Sequence, residues 1–472
     1  MKVLVLTPPH GRTHFLTRFT MTEPLTGCFL GPALGPAHET RIVDLRLQRD
    51  LGRALSGWVP DVAVVTVTQL AHTALPATLG ELSSLAPECR VLVTGAADYG
   101  AEHVVERPMD FAHPLVDAIL PTYSLQVATQ TIPALVDVWA RGGDPIEVPG
   151  LWIQKAPHEW IHSGELAHTF GACGLPDRTL LGDLRGRYRW GGHRDVAYVV
   201  HTFGCKHSCR YCTMSKTSGP IIERPVGDVL AELETVTEKN VFLADFEPLQ
   251  APDAMLRLAD SIQASGLRKR FILMTRADSA LDQAHVLERW KEVGLTTVFL
   301  GLDAHSNGRM REVRKGSSVS EHEAAFQLLR DLELTSVAGM TVSPDAGRDD
   351  FADMRATLRR VRPDMFGFTV ETPLVGTRWF DEVESQLTTK DWSLFDLEHA
   401  VLPTRLELSE FYRELTKLQL MAFSWPRPGI AFQYGLRGMA ANLANALGGV
   451  LDVARSTRDH ASAPGSAAPA AA

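Results

Sequence analysis

The stretch His201-Thr-Phe-Gly-Cys205-Lys-His-Ser-Cys209-Arg-Tyr-Cys212 places three cysteines in a C-x3-C-x2-C spacing directly behind an apolar run that starts at Ala197. Three thiolates on one short loop can hold three irons of a [4Fe-4S] cube and leave the fourth iron open to an outside ligand. Two other readings use the same residues. One is a zinc knuckle with His207 as fourth ligand, strained because His207 lies between two of the cysteines. The other is a disulfide with a spare thiol.

Outward from this loop, strand-like runs alternate with amphipathic helical patterns. Strands are expected at Ala197 to Thr202, Asn240 to Ala244, Arg270 to Arg276, Thr296 to Gly301, Ser336 to Val342 and Asp364 to Val370, with a helix over Val226 to Lys239. Six such β/α units make an open partial barrel, with function at the strands' carboxyl ends. Those ends carry Asp245-Phe-Glu247, Thr275-Arg276, Gly301-Leu-Asp303, Ser343-Pro-Asp345 and Glu371-Thr-Pro. Any one of these acids could simply cap the following helix. Five polar ends together point to a ligand.

C-x3-C-x-aromatic-C after the first strand of an α/β segment resembles the signature of the radical S-adenosylmethionine (SAM) enzymes. The resemblance implies Cys205, Cys209 and Cys212 as cluster ligands. It implies an open iron chelated by SAM, whose reductive cleavage gives methionine and a 5'-deoxyadenosyl radical. It also implies Tyr211 beside the adenine, Asp245 and Glu247 near the SAM ammonium, Arg276 near its carboxylate and Asp303 near the ribose. A cationic and hydroxyl-bearing cofactor needs such carboxylates and such a guanidinium. A small-molecule substrate and a flavodoxin- or ferredoxin-like reducing system come with the resemblance.

Residues 1–150 also alternate short strands with helical patterns, at Val3 to Thr7, Arg41 to Val43, Val62 to Thr68, Val91 to Thr94 and Ala118 to Leu120. This spacing predicts a doubly wound parallel sheet whose ligand edge carries Thr7-Pro-Pro-His10, Thr68-Gln69, Thr94-Gly-Ala-Ala-Asp98 and Leu120-Pro-Thr-Tyr123. Such a sheet ahead of the cysteine loop resembles the cobalamin-binding domain of cobalamin-dependent radical SAM enzymes. Where that subclass has a Gly-Gly-Pro-His-like turn and a Gly-Glu-Gly-Glu-like loop, this chain has Gly95-Ala-Ala97 and Pro121-Thr-Tyr-Ser124. Each Cβ removes room that glycine would give. With no D-x-H-x-x-G motif, no histidine is expected as a cobalt ligand, and both retention and loss of the corrinoid stay open.

Residues 151–195 read as a connector. Their Leu175-Pro-Asp-Arg178 and Arg187-Tyr-Arg189 are similar to the subgroup that methylates hopanoids and the pyrrole of aminocoumarin antibiotics. The barrel is bounded at 196–391. A helical cap over 392–455 carries Leu408, Phe411, Leu415 and Leu418 at helical spacing, with Phe423, Trp425 and Phe432 as its core, and the Ala-, Ser- and Pro-rich run 456–472 is expected to be disordered.

Across 472 residues the chain is 45% hydrophobic and 22% charged, with a formal charge of -9, which gives no basic footprint for nucleic acid. No apolar run approaches the roughly 18 residues of a membrane span. The six cysteines are three in the loop and Cys28, Cys89 and Cys173 scattered singly, a pattern expected of reduced thiols in the cytoplasm.

Two reactions fit this reading, and both start with hydrogen abstraction from a substrate carbon. The favoured one is radical dehydration of a polar amino-sugar substrate in antibiotic biosynthesis, resembling the aminoglycoside diol dehydratases that precede a partner reductase. It needs a base about 3 Å from a hydroxyl proton, for which the candidates are Glu247 and Glu371, then His201, His305 and Lys216. The alternative is a cobalamin-dependent C-methyltransferase acting on an antibiotic or lipid precursor.

Overall fold

The computed structural model describes residues 1–10, 19–97, 101–166, 173–214 and 221–421, and 444, 447–451, 453 and 456 near the end. The expected Lys216, Asp98, Phe423, Trp425, Phe432 and the tail beyond 456 lie outside the described residues. The chain forms two compact units. The first comprises Met1–Arg12, Thr22–Arg187 and Leu374–Gly376, and the second comprises Thr13–Met21, Tyr188–Pro373 and Thr377–Ala472.

In the first unit, β1 (Lys2–Thr7), β2 (Glu39–Asp44), β3 (Val62–Val67), β4 (Arg90–Gly95) and β5 (Ala118–Leu120) pair in parallel in the order β2-β1-β3-β4-β5. Val3 to Leu6 and Val62 to Val65 are all at 0% exposure. Both sheet faces are therefore covered, so these strands read as continuous apolar runs rather than alternating ones. Helices α1 (Leu25–Leu34) and α2 (Leu75–Leu85) connect neighbouring strands, and α3 (Leu125–Ala140) follows β5. A ligand crevice belongs at the β1/β3 junction, where the strand order reverses.

The first unit extends beyond the expected boundary at 150. Two antiparallel edge strands, β6 (Trp152–Ala156) on β5 and β7 (Glu159–His162) on β6, continue the sheet into the segment expected as a connector. They are short and partly exposed, so they leave no periodic signal. Farther on, Arg178 forms an ion pair with Glu23 at 3.2 Å, with both side chains at most 1% exposed. The Leu-Pro-Asp-Arg run is thus an internal strut of the first unit.

In the second unit, β8 (Val196–Val199), β9 (Asn240–Leu243), β10 (Arg270–Thr275), β11 (Leu295–Gly301), β12 (Thr335–Val342) and β13 (Met365–Val370) form an open six-stranded parallel sheet in chain order. The six expected strands are all present, with ends displaced by a residue or more. Alternate side chains face opposite sides. Val241, Leu243, Phe271, Leu273, Val298, Leu300, Ala338 and Met340 join the helices in one core. On the other face Trp190 stacks on Phe242 at 5.1 Å and meets Phe299 edge-on.

Helix α4 (Val226–Thr235) follows the cysteine loop. Next come α5 (Pro252–Ser265), α6 (Ala284–Glu292), the short α7 (Asn307–Glu312), α8 (Val319–Asp331) and α9 (Arg348–Val361). Ser318 and Glu321 close a capping box on α8, which fixes where that helix starts. α10 (Leu408–Leu420) buries Phe411, Leu415 and Leu418 against α9 and β13, as its helical spacing predicts. Among the described residues no helix is long and apolar enough to cross a membrane.

Candidate active site

The loop after β8 is held at three places. Asp245, at the end of β9, accepts from His201 N at 2.7 Å, Thr202 N at 3.0 Å and Thr202 Oγ1 at 2.9 Å. Gln250 accepts from Lys206 N and donates to Gly204 O, both at 2.9 Å. Arg210 N donates to Val313 O at 3.0 Å. Gly204 has φ +90°, a left-handed turn just before Cys205 that a residue with a Cβ adopts only with strain. None of the cysteines is in a disulfide.

This corrects the role expected of Asp245. Its carboxylate is fully buried and engaged by loop donors, so it holds the cysteine loop instead of facing a ligand. Burial pushes its carboxyl up to about 6, against the pull of the His201 and Thr202 bonds. His201 is corrected as well. At 0% exposure it cannot reach a substrate, and burial, then Arg224, lower its pKa to about 4, so it stays neutral.

Glu247 accepts from Thr275 Oγ1 at 2.6 Å and from Arg276 N at 2.8 Å. Burial raises its pKa, with those two bonds opposing. The Arg276 guanidinium pairs with Asp278 through Nε at 2.9 Å and Nη2 at 2.7 Å, reaches the Lys315 carbonyl, and places Nη1 3.5 Å from Cys209 Sγ.

Two of the expected cofactor residues do meet. Tyr211 lies beside Asp303, and desolvation, then the Asp303 charge, push its phenol well above its ordinary pKa. Asp303 is ion-paired with Lys315, and both side chains are nearly buried. Burial alone would raise Asp303, but Lys315 and the Tyr211 hydroxyl hold it below the usual carboxylate range. Asp303 has φ +50°, and a Cβ on Gly301 would come within 2.9 Å of its Oδ2. Glycine at 301 therefore makes this turn feasible.

Glu371, at the end of β13, is ion-paired with Arg309 of α7, which also donates to Ser343 Oγ at 3.0 Å. Burial raises its pKa and Arg309 opposes. His305 bonds Asp350 at 3.1 Å. Sequence reasoning missed Lys315, Arg309 and Asp278. Only Asp278 carried a signal, two residues after the named Arg276. Arg309 sits on the six-residue α7 and Lys315 in the loop after it, stretches too short for periodicity to reveal.

A match to the radical SAM superfamily covers residues 199–358. Those residues form a radical SAM domain. It is 29% identical to hopanoid C-3 methylase of Methylococcus capsulatus over 412 residues, which is 86% of this chain and 77% of the relative. It is 25% identical to anaerobic magnesium-protoporphyrin IX monomethyl ester cyclase of Synechocystis over 47% of this chain and 46% of that one. It therefore spans about three quarters of the first relative and under half of the second. Two solved structures share the fold. One is the radical SAM methyltransferase TsrM of Kitasatospora setae, solved with cobalamin and a [4Fe-4S] cluster, at TM-score 0.61, 16% identity and 82% and 78% coverage. The other is the cobalamin-dependent radical SAM enzyme OxsB, solved with aqua-cobalamin and SAM, at TM-score 0.67, 13% identity and 89% and 66% coverage.

Radical SAM chemistry implies a [4Fe-4S] cluster and SAM, and the donor set suits the cluster. Three cysteines on one pinned loop supply thiolates for three irons, one sulfur each. A zinc knuckle needs its ligands gathered on one ion, and no such group of His, Cys, Asp and Glu exists among the described residues.

In the first unit, a crevice lies at the β1/β3 switch point, lined by Thr7, Thr26, Thr66, Thr68, Ala96 and Ala97 among others. Thr68 Oγ1 and both amide atoms of Gln69 are buried without a hydrogen-bond partner. Hydrogen-bonding groups of that kind suit a ligand fringed with amides or phosphate.

Proposed function

We propose that the chain is a cobalamin-assisted radical SAM C-methyltransferase acting on a carbon of a small-molecule substrate. What carries the reading is the likeness to hopanoid C-3 methylase over 86% of the chain, a span that takes in the N-terminal sheet as well as the barrel. It reverses the order of preference drawn from the sequence, which put dehydration of an amino sugar first. When bound, the cluster and SAM supply a 5'-deoxyadenosyl radical for hydrogen abstraction, and a corrinoid supplies the methyl group.

The protein's own part is binding and orientation. Cys205, Cys209 and Cys212 would hold the cluster, Tyr211 and Asp303 would border SAM, and Thr68 with Gln69 would take polar groups of the corrinoid. An external one-electron reductant of the flavodoxin or ferredoxin kind completes the system. Six cysteines outside disulfides suit a reducing compartment such as the cytoplasm.

Dehydration remains as a second reading because Ala96 and Ala97 line the crevice at the turn where the sequence resemblance led to the expectation of glycine. In that reading Glu371 would be the base and a reductase would act next. One experiment separates the two: anaerobic purification with hydroxocobalamin supplied, then turnover of candidate substrates with SAM and reductant, with mass analysis of the product. Stoichiometric corrinoid and a product that gains CH2 are expected. A product that loses water, with no corrinoid retained, would refute methylation.

A further inference from the structure

We infer that Arg276 is a positioning residue that sets the reduction potential of the cluster through an N–H···S bond to Cys209, and is not a clamp for the SAM carboxylate. The inference rests on the cysteine loop carrying the cube. Its basis is the allocation of the guanidinium's N–H groups.

A carboxylate clamp needs two parallel N–H groups on one edge of the guanidinium. Here that edge, Nε and Nη2, is occupied by both oxygens of Asp278, at 2.9 and 2.7 Å. The second Nη2 hydrogen meets the Lys315 carbonyl. Nη1 remains, and it points at Cys209 Sγ from 3.5 Å. No free edge is left for SAM.

The side chain is held rigidly in this pose. Its backbone N–H is fixed by Glu247 at 2.8 Å. Arg276 is 6% exposed and Cys209 7%, so water does not screen the contact. Hydrogen bonds to ligand sulfurs and solvent exposure both set cluster potentials. Sulfur carries more negative charge when the cube has gained its electron. A donor aimed at it therefore favours the reduced state and raises the potential. Asp278 neutralises the guanidinium's charge without removing that N–H, which keeps the rise moderate.

The test uses full-length Arg276→Met and Arg276→Lys proteins, reconstituted anaerobically without SAM and titrated potentiometrically by electron paramagnetic resonance. Arg276→Met should bind iron and sulfide like the parent. At a fixed potential its reduced-to-oxidised ratio should fall about tenfold, equivalent to ~59 mV for one electron. Arg276→Lys, which keeps an N–H donor, should recover part of the shift, and SAM affinity of the oxidised protein should stay within about twofold. An unchanged potential in Arg276→Met, or a loss of SAM affinity in its place, overturns the inference.

If Arg276→Met fails to load iron, Asp278→Asn decides. Exposing the guanidinium charge should move the potential in the opposite, positive direction, and no movement refutes the idea. A parent protein that took up no iron would instead sink the cluster assignment itself.

Discussion

Asp245→Asn distinguishes a carboxylate that faces SAM from one that holds the cysteine loop. The asparagine carbonyl can keep the His201 N–H, but its amide group then faces the Thr202 N–H, donor against donor. One bond to a charged acceptor becomes a neutral one and one buried N–H loses its partner, together about 2–4 kcal/mol against the loop. The wild-type residue has a cost of its own, because burial pushes its carboxyl up to about 6. Keeping it ionised at pH 8 costs about 3 kcal/mol at ~1.4 kcal/mol per unit. The two effects cancel to about 1 kcal/mol, so the melting temperature should move by no more than about 4 °C. The loop itself gains nothing from the relieved burial. Iron retained by the reconstituted variant under a chelator should fall about tenfold or more, the equivalent of at least ~1.4 kcal/mol. If Asp245→Asn kept its iron as long as the parent and lost SAM affinity instead, the loop-holding role would be wrong and the expectation from sequence right.

Three further outcomes follow from the same geometry. His193, His201 and His322 are each lowered by burial to about 4, so they are neutral when folded but protonated in the unfolded chain below about 6.5. Stability of the apoprotein should therefore be lost as pH falls from about 6.5 toward 4. Asp245, raised by burial to about 6, acts in the opposite sense over part of that window. The denaturation midpoint should be lower at pH 5 than at pH 7, and a constant or rising midpoint on acidification would contradict the burial of these rings. Arg309→Ala leaves Glu371 as a buried unpaired charge at a cost of about 3–5 kcal/mol. Thermal melting should show most of that cost removed in the Arg309→Ala/Glu371→Gln double variant. Gly95→Ala places a Cβ 2.6 Å from Thr122 O. The turns after β4 and β5 must then separate, which should cost about 1–3 kcal/mol of stability, read as a lower melting temperature, and reduce corrinoid uptake. Unchanged melting would show that the turns are not in contact.

The fold was legible because both units are built from repeated local patterns. Val62 to Val67 and Leu295 to Gly301 are apolar or β-branched enough to read as strands by themselves, and the cysteine spacing identifies its loop without tertiary information. The extension of the first unit was not legible, since β6 and β7 are edge strands with few buried residues and Arg178 finds Glu23 across 155 residues. The same limit governed the site. Asp245, Glu247 and Asp303 could be located at strand ends by counting, but counting cannot say whether a carboxylate faces a ligand or a backbone N–H. Asp245 and Asp303 occupy equivalent places after their strands. One holds the loop and the other meets Tyr211 and Lys315, because Asp303 takes a left-handed turn that Asp245 does not.

The partners of these acids bear on the choice between the two reactions. Dehydration asks for a base at a hydroxyl proton, and a well-placed base contributes about 10²–10⁴ in rate. Asp245 accepts from the cysteine loop, Glu247 from Thr275 and Arg276, and His201 has no access, so of the acids named Glu371 is the one to weigh, with His305 bonded to Asp350 and Lys216 outside the described residues. To act as a free base Glu371 must give up its pair with Arg309. Breaking such a buried pair costs about 3–5 kcal/mol, a penalty of about 10²–10³·⁵ in rate at ~1.4 kcal/mol per tenfold. The gain from general-base catalysis is cancelled by the cost of freeing the base. Transfer of a methyl group to a carbon radical asks the protein for no base. Its requirements of the barrel are a rigid cysteine loop and a bound substrate, so carboxylates already tied into ion pairs and loop bonds serve it without rearrangement.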